Sequence, residues 1–129
     1  MKGLDTNILV RFFTKDDQEQ FEQVFQLFSQ QDLTFFISYP VLVELVWVLE
    51  RGYNFNKQQI IFVLDELLDT KHFHFENANN LKEAITLFKN NSADFSDCLI
   101  GVLGTSNKCD STYTFDKKAS QLGSFSLLQ

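Results

Sequence analysis

Arginine is almost missing from this chain of 129 residues: Arg11 and Arg51 are the only two. Lys and Arg together number 11 against 17 Asp and Glu, for a formal net charge of −6. That balance excludes the simplest kind of nucleic-acid binder, a small domain coated in basic side chains. Work on a polyanion would have to come from a local device, such as bound metal, rather than from the overall field. Cysteine is equally scarce. Cys98 and Cys109 could form at most one bridge and are expected to be reduced thiols, with Cys98 part of the core. The two histidines, His72 and His74, alternate in a strand-like stretch without a partner cysteine, so no zinc-type spacing exists. No run of about 18 apolar residues is present, which excludes a transmembrane helix. The apolar stretch 33–43 is broken by Thr34, Ser38 and Pro40. Met1-Lys2-Gly3-Leu4-Asp5 also lacks the apolar segment of a secretion signal, so a cytoplasmic protein without membrane attachment is expected.

What remains is an ordinary globular composition, 44% hydrophobic and 22% charged, expected to form one domain over residues 1–129. Phenylalanine is the peculiarity, with 15 residues. Phe21, Val24, Phe25 and Phe28 fall at i, i+3, i+4 and i+7, which predicts an amphipathic helix over 18–29. That spacing makes these rings core, not an exposed platform for bases. A strand at 33–38 leads into Pro40, the single proline and a favoured helix-start residue. The helix that follows is expected over 41–50, ending at Arg51-Gly52. Further helices are expected at 58–68, 79–89 and 95–103, and strands at 2–4, 72–75, 111–115 and 125–128. Asp5-Thr6-Asn7, before Ile8-Leu9-Val10, reads as a cap and a turn. About five short strands separated by helices imply right-handed crossovers, a mostly parallel sheet, and an α/β fold with both faces covered.

In an open parallel sheet, sites form at the carboxyl ends of strands. Asp5 directly follows the first strand and Asp116 directly follows the fourth. Asp94 and Asp97 stand three apart on the opening turn of a helix, so both project to one side. Glu44 is surrounded by the apolar residues of 41–49. If buried there, it must be paired, protonated or coordinating metal, because an isolated buried charge is too costly. Each acid has an ordinary explanation when taken singly: a helix cap for Asp94, a cap and turn for Asp5, a solvated loop for Asp116, an arginine partner for Glu44. Meeting together without basic partners, they would repel. A hard divalent cation removes that penalty, prefers oxygen ligands, and serves phosphoryl chemistry.

At these same positions the chain resembles the PIN domain family, in particular the VapC-type toxins of bacterial toxin–antitoxin pairs. The resemblance runs through Leu4-Asp5-Thr6-Asn7-Ile8-Leu9-Val10-Arg11 and Ile37-Ser38-Tyr39-Pro40-Val41-Leu42-Val43-Glu44. It resumes at Ala93-Asp94-Phe95-Ser96-Asp97-Cys98-Leu99-Ile100 and Thr112-Tyr113-Thr114-Phe115-Asp116, and closes with the terminal strand. It implies a three-layer α/β/α sandwich and a metal-dependent endoribonuclease that uses Mg²⁺ or Mn²⁺. Asp5, Glu44, Asp97 and Asp116 would be both the catalytic acids and the metal ligands. Asp94 resembles an additional acid found in part of the family, and Thr6, Asn7 and Thr114 resemble polar residues that orient acids or water. An RNA substrate, a cognate antitoxin and a homodimer follow from the same resemblance. One departure stands out: Leu99-Ile100-Gly101-Val102 occupies the place where the family often has Leu-Ile-Ala-Ala, a change expected only to weaken the helix slightly.

Other readings of the same residues remain. A non-catalytic PIN-like module would bind a basic partner and no metal, and an RNA-processing nuclease outside a toxin–antitoxin pair would share the acids. A receiver-type phosphoacceptor also places acids at strand ends, but needs a strand-end lysine where this chain has Phe115-Asp116 before Lys117.

Overall fold

A computed structural model describes every residue from Met1 to Gln129 and divides the chain into two compact units, Met1–Glu76 and Asn77–Gln129. The first unit runs β1 (Lys2–Gly3), α1 (Thr6–Thr14), α2 (Gln18–Phe28), β2 (Phe35–Phe36), α3 (Tyr39–Tyr53), α4 (Lys57–Asp69) and β3 (Phe73–His74). The second runs α5 (Ala78–Asn90), α6 (Phe95–Ser106), β4 (Thr112–Thr114), a 3-10 turn at Ala119–Gln121, and β5 (Phe125–Leu127). Every strand pairing is parallel, as the alternation of strands and helices predicts. Hydrogen bonding groups the five strands as β1-β2-β3 and β4-β5, one ladder in each unit. The strands are only two or three residues long, so each ladder rests on few bonds.

Local chemistry explains the helix boundaries. The side chains of Asp17, Ser38, Asn56 and Asn77 each accept a backbone N–H in the first turn of α2, α3, α4 and α5. These bonds satisfy donors that a helix start leaves open. Asn56 and Gln59 form a reciprocal capping box on α4. Two expectations change. Asp5 is a cap as expected, but Thr6 and Asn7 form the first turn of helix α1 instead of a separate turn, with Leu9 and Val10 on its buried face. Helix α3 also continues past Arg51-Gly52 to Tyr53. Asn54 stops it in the left-handed region at φ 57°, its N–H bonded to the Leu49 carbonyl. Asparagine is the usual substitute for glycine in that conformation, and Gly52 keeps helical geometry inside the last turn.

In the first unit, Leu9, Phe35, Ile37, Leu42, Leu45, Leu49, Ile60 and Leu64 have essentially no exposure. Phenylalanines 12, 21, 28, 35 and 73 connect through ring contacts with centroids 5.1–6.1 Å apart. Phe12, Phe21, Phe28 and Phe73 are half-buried, so most of the expected aromatic core is present, although Phe25 is 52% exposed. In the second unit, α5 packs on α6 through Leu81, Ile85, Phe88, Phe95 and Leu99. Cys98 is buried there, as expected, and no disulfide joins it to the exposed Cys109.

Gly101 matters more than its helix propensity implies. A Cβ on it would lie 2.5 Å from Ser124 Oγ and 2.7 Å from a ring carbon of Phe125. Gly101→Ala is therefore expected to lower unfolding free energy by about 1–3 kcal/mol through overpacking. Propensity alone would give a gain of about 1 kcal/mol. The urea midpoint decides between them, and a higher midpoint in the variant would refute the packing account.

Candidate active site

In the first unit, Asp5 leaves β1 and caps α1, its carboxylate accepting the Thr6 N–H at 2.8 Å. The Asp5 and Asn7 side chains are exposed, whereas Thr6 is only 4% exposed. The Thr6 hydroxyl is buried without a hydrogen-bond partner. A buried hydroxyl left unpaired beside a carboxylate carries a cost, and is the kind of group a bound ligand or water satisfies.

Glu44 departs from expectation. Helix α3 buries Tyr39, Leu42, Leu45, Val46 and Leu49, a stripe at helical spacing, and Glu44 lies outside it, exposed. Trp47 is also outside the stripe, 57% exposed, with the Arg51 guanidinium 5.7 Å from its ring centre. The helix is apolar nearly all round, yet packs along one face. Glu44 is therefore no buried carboxylate in need of compensation. Neither arginine compensates it, since Arg11 pairs with Asp16 at 3.5 Å and Arg51 lies over Trp47.

In the second unit, Asp94 and Asp116 act on Asp97. Asp94 is the cap residue of α6 by position, yet its side chain makes no capping bond and remains exposed. Asp97 follows in the first helical turn, half-buried. Burial, and after it the charges of Asp116 and Asp94, push the Asp97 carboxyl above the ordinary carboxylate value. Asp116 follows β4 in a tight turn. Its N–H donates to Thr114 Oγ1 at 3.0 Å, and its carboxylate accepts the Ala119 N–H at 3.0 Å. Thr114 thus holds the Asp116 backbone in the turn after β4.

Within neither unit do three acidic, histidine or cysteine side chains close around one point. The donor chemistry nevertheless fits a hard cation. In the second unit Asp94, Asp97 and Asp116 offer oxygen donors, with burial and like charge disfavouring ionised Asp97; in the first, Asp5 stands beside the orphaned Thr6 hydroxyl. Mg²⁺ characteristically takes one or two carboxylates and keeps several waters, so it needs no enclosed protein cage. Next to Asp116 in sequence stand two residues whose composition alone suggests no role, Tyr113 and Phe115, which are 76% and 78% exposed. The alternation Thr112-Tyr113-Thr114-Phe115 was the available signal.

The PIN domain family model matches residues 3–124. Over 125 residues the chain is 31% identical to a VapC ribonuclease of Aquifex aeolicus (strain VF5), an alignment covering 95% of this chain and 93% of that protein. From the strand before Asp5 to the turn before β5, and across both units, the match is continuous, and the chain belongs to the PIN domain family.

Proposed function

We propose that this chain is a Mg²⁺- or Mn²⁺-dependent endoribonuclease, the toxin of a toxin–antitoxin pair, acting in the cytoplasm as a single PIN domain. The observation that carries the reading is Asp97, whose ionised form is disfavoured by burial and by two neighbouring acids. Such an arrangement destabilises the protein on its own and makes sense as a cation seat. The name of the aligned relative, a ribonuclease, supports the substrate. Asp5, Glu44, Asp97 and Asp116 would hold the metal. When bound, a divalent cation stabilises the charge that builds on a phosphodiester under attack. Thr114 holds the Asp116 backbone, while Thr6 and Asn7 offer polar groups beside Asp5 to orient water. Asp94, free of any capping bond, adds negative potential on the Asp97 side.

Cleavage of total RNA should require added Mg²⁺ or Mn²⁺ and stop in excess EDTA. Cleavage that survives EDTA would defeat the reading and leave a metal-independent activity. Glu44→Gln separates role from stability: because Glu44 is exposed, the change should leave the melting temperature in place. It should still reduce cleavage about tenfold or more, as lost metal-site carboxylates commonly do. Unchanged cleavage would remove Glu44 from the site.

The partners follow from the surface. An acidic chain calls for a basic antitoxin segment, whose cation could stand in for metal charge among the acids. A cleft of about 470 Å³ in the first unit, lined by Phe12, Phe13, Phe21, Phe25 and Phe62, offers apolar surface for the rest of that segment. The exposed Trp47 on α3 supports a homodimer, which sedimentation at tens of micromolar should show.

A further inference from the structure

The ribonuclease reading leaves open how a chain with net charge −6 holds a polyanion at all. The second unit carries an answer on one short segment. Tyr113 and Phe115 are among the most exposed large apolar side chains of the protein, at 76% and 78%, while Thr112 and Thr114, which alternate with them, are half-buried. Tyr113 stands on β4 and Phe115 in the bend directly after it, and the alternation of half-buried and exposed residues runs through both. The chain then turns at Asp116, and Lys117 and Lys118 follow, both exposed. Aromatic faces beside lysines are the combination that single-stranded nucleic acid uses: bases stack on rings and phosphates meet the cations. The pairing lies next in sequence to Asp116, which acts electrostatically on Asp97.

We propose that Tyr113 and Phe115 form a stacking platform for unpaired bases of single-stranded RNA, with Lys117 and Lys118 engaging the adjacent phosphates. Resting on the ribonuclease reading, the proposal adds which side chains hold the bases of the substrate. Stacking tolerates every base, so the platform favours strand state over sequence. It also explains an otherwise costly display of two large rings, one on a strand of three residues and one directly after it.

The test is a titration of a single-stranded RNA carrying 2-aminopurine, at low salt in EDTA, so that binding is read without hydrolysis. The wild-type protein should quench the probe. Tyr113→Ala with Phe115→Ala should weaken binding roughly 5- to 150-fold per stacked base lost, while Tyr113→Phe retains it. Lys117→Gln should lower the salt dependence by about one phosphate contact without removing the quench. An unquenched probe with wild type, or a double alanine variant that binds equally well, overturns the platform. A wild-type dimer that becomes monomeric in the double variant also overturns it, by assigning the rings to a second copy. Metal-dependent cleavage by the wild-type protein is scored separately, so failure of the platform and failure of the ribonuclease reading give different results.

Discussion

Asp97→Asn is expected to reduce metal-dependent RNA cleavage by at least about a hundredfold and, in the same protein, to raise the melting temperature. The two effects share one cause. In the folded chain the Asp97 carboxyl is held above its ordinary value of 3.8 by burial and by the charges of Asp116 and Asp94. Between that value and the raised one, the folded state binds more protons than the unfolded state, so stability falls as pH rises through the window. Above the window, the whole cost of the ionised group is present; below it, none. Asparagine has no charge to disfavour. The variant should therefore melt higher than wild type at pH 7 in EDTA, with the difference closing at pH near 3. Loss of a charged metal ligand should meanwhile remove transition-state stabilisation of the size seen when electrostatic groups are deleted from active sites, on the order of 10²–10³ in rate. A stabilising change that abolishes activity is the signature of a strained functional site, and few structural roles would produce it. Melting curves at two pH values and a single-turnover cleavage assay decide the matter. Retained cleavage, or a lower melting temperature at pH 7, would sink the assignment. Binding of Mg²⁺ provides a further check, since an ion that binds the folded state alone raises its melting temperature by mass action. That rise should be large for wild type and small for Asp97→Asn.

The acids differ in how far the sequence reveals them. Asp5 and Asp116 are legible because each follows a strand of recognisable composition, and strand ends are where parallel sheets place chemistry. The coupling at Asp97 is partly legible: spacing puts Asp94 on the same side of the helix, but Asp116 joins only through the turn after β4. Glu44 shows the limit. Its neighbours in sequence are almost all apolar, and burial is the natural inference from that. Burial on a helix depends on which stripe meets the rest of the fold, however, and α3 buries Leu42, Leu45, Val46 and Leu49 while leaving Glu44 and Trp47 in solvent. Composition within a window carries no information about the direction of packing.

The same distinction applies to the backbone. Apolar periodicity locates α2, α4, α5 and α6 to within a residue or so at their starts, because caps such as Asp17, Asn56 and Asn77 stand directly before the periodic residues. It fails at the end of α3, where Gly52 looks like a stop and Asn54 is one. It also gives no helix at α1, where Asp5 is legible as a cap but Thr6 and Asn7 read as a turn. At Gly101 the difficulty is tertiary: a helix position with room for alanine by propensity is closed by Ser124 and Phe125, more than twenty residues away.

Phe35→Ala is expected to be the most destabilising single change in the first unit, lowering unfolding free energy by about 3–5 kcal/mol. Phe35 is 1% exposed and sits on β2, the central strand, which pairs with Lys2 of β1 on one side and Phe73 of β3 on the other. Its ring contacts Phe28 at 5.3 Å and Phe73 at 6.1 Å, and those two contact each other at 5.2 Å, so its removal opens a hole inside a closed triangle. Two half-buried partners give that hole some freedom to collapse, which keeps the estimate from being larger. A domain of this size has about 5–15 kcal/mol in all, so the variant stands near the edge of folding at 37 °C. Phe25→Ala provides the contrast. Phe25 is 52% exposed and its ring contact is with Phe21 alone, so the expected loss is about 1 kcal/mol or less. Both values come from urea unfolding, where a shifted midpoint with an unchanged slope identifies a true stability change. The consequence should reach the acids as well. Leu4 donates to the Phe36 carbonyl at 3.0 Å and so ties the strand end before Asp5 to β2. Loosening β2 should therefore reduce RNA cleavage at temperatures well below the variant's melting point, with the loss growing on warming. Cleavage that stays at the wild-type level until the variant melts would show that Asp5 is positioned by α1 alone.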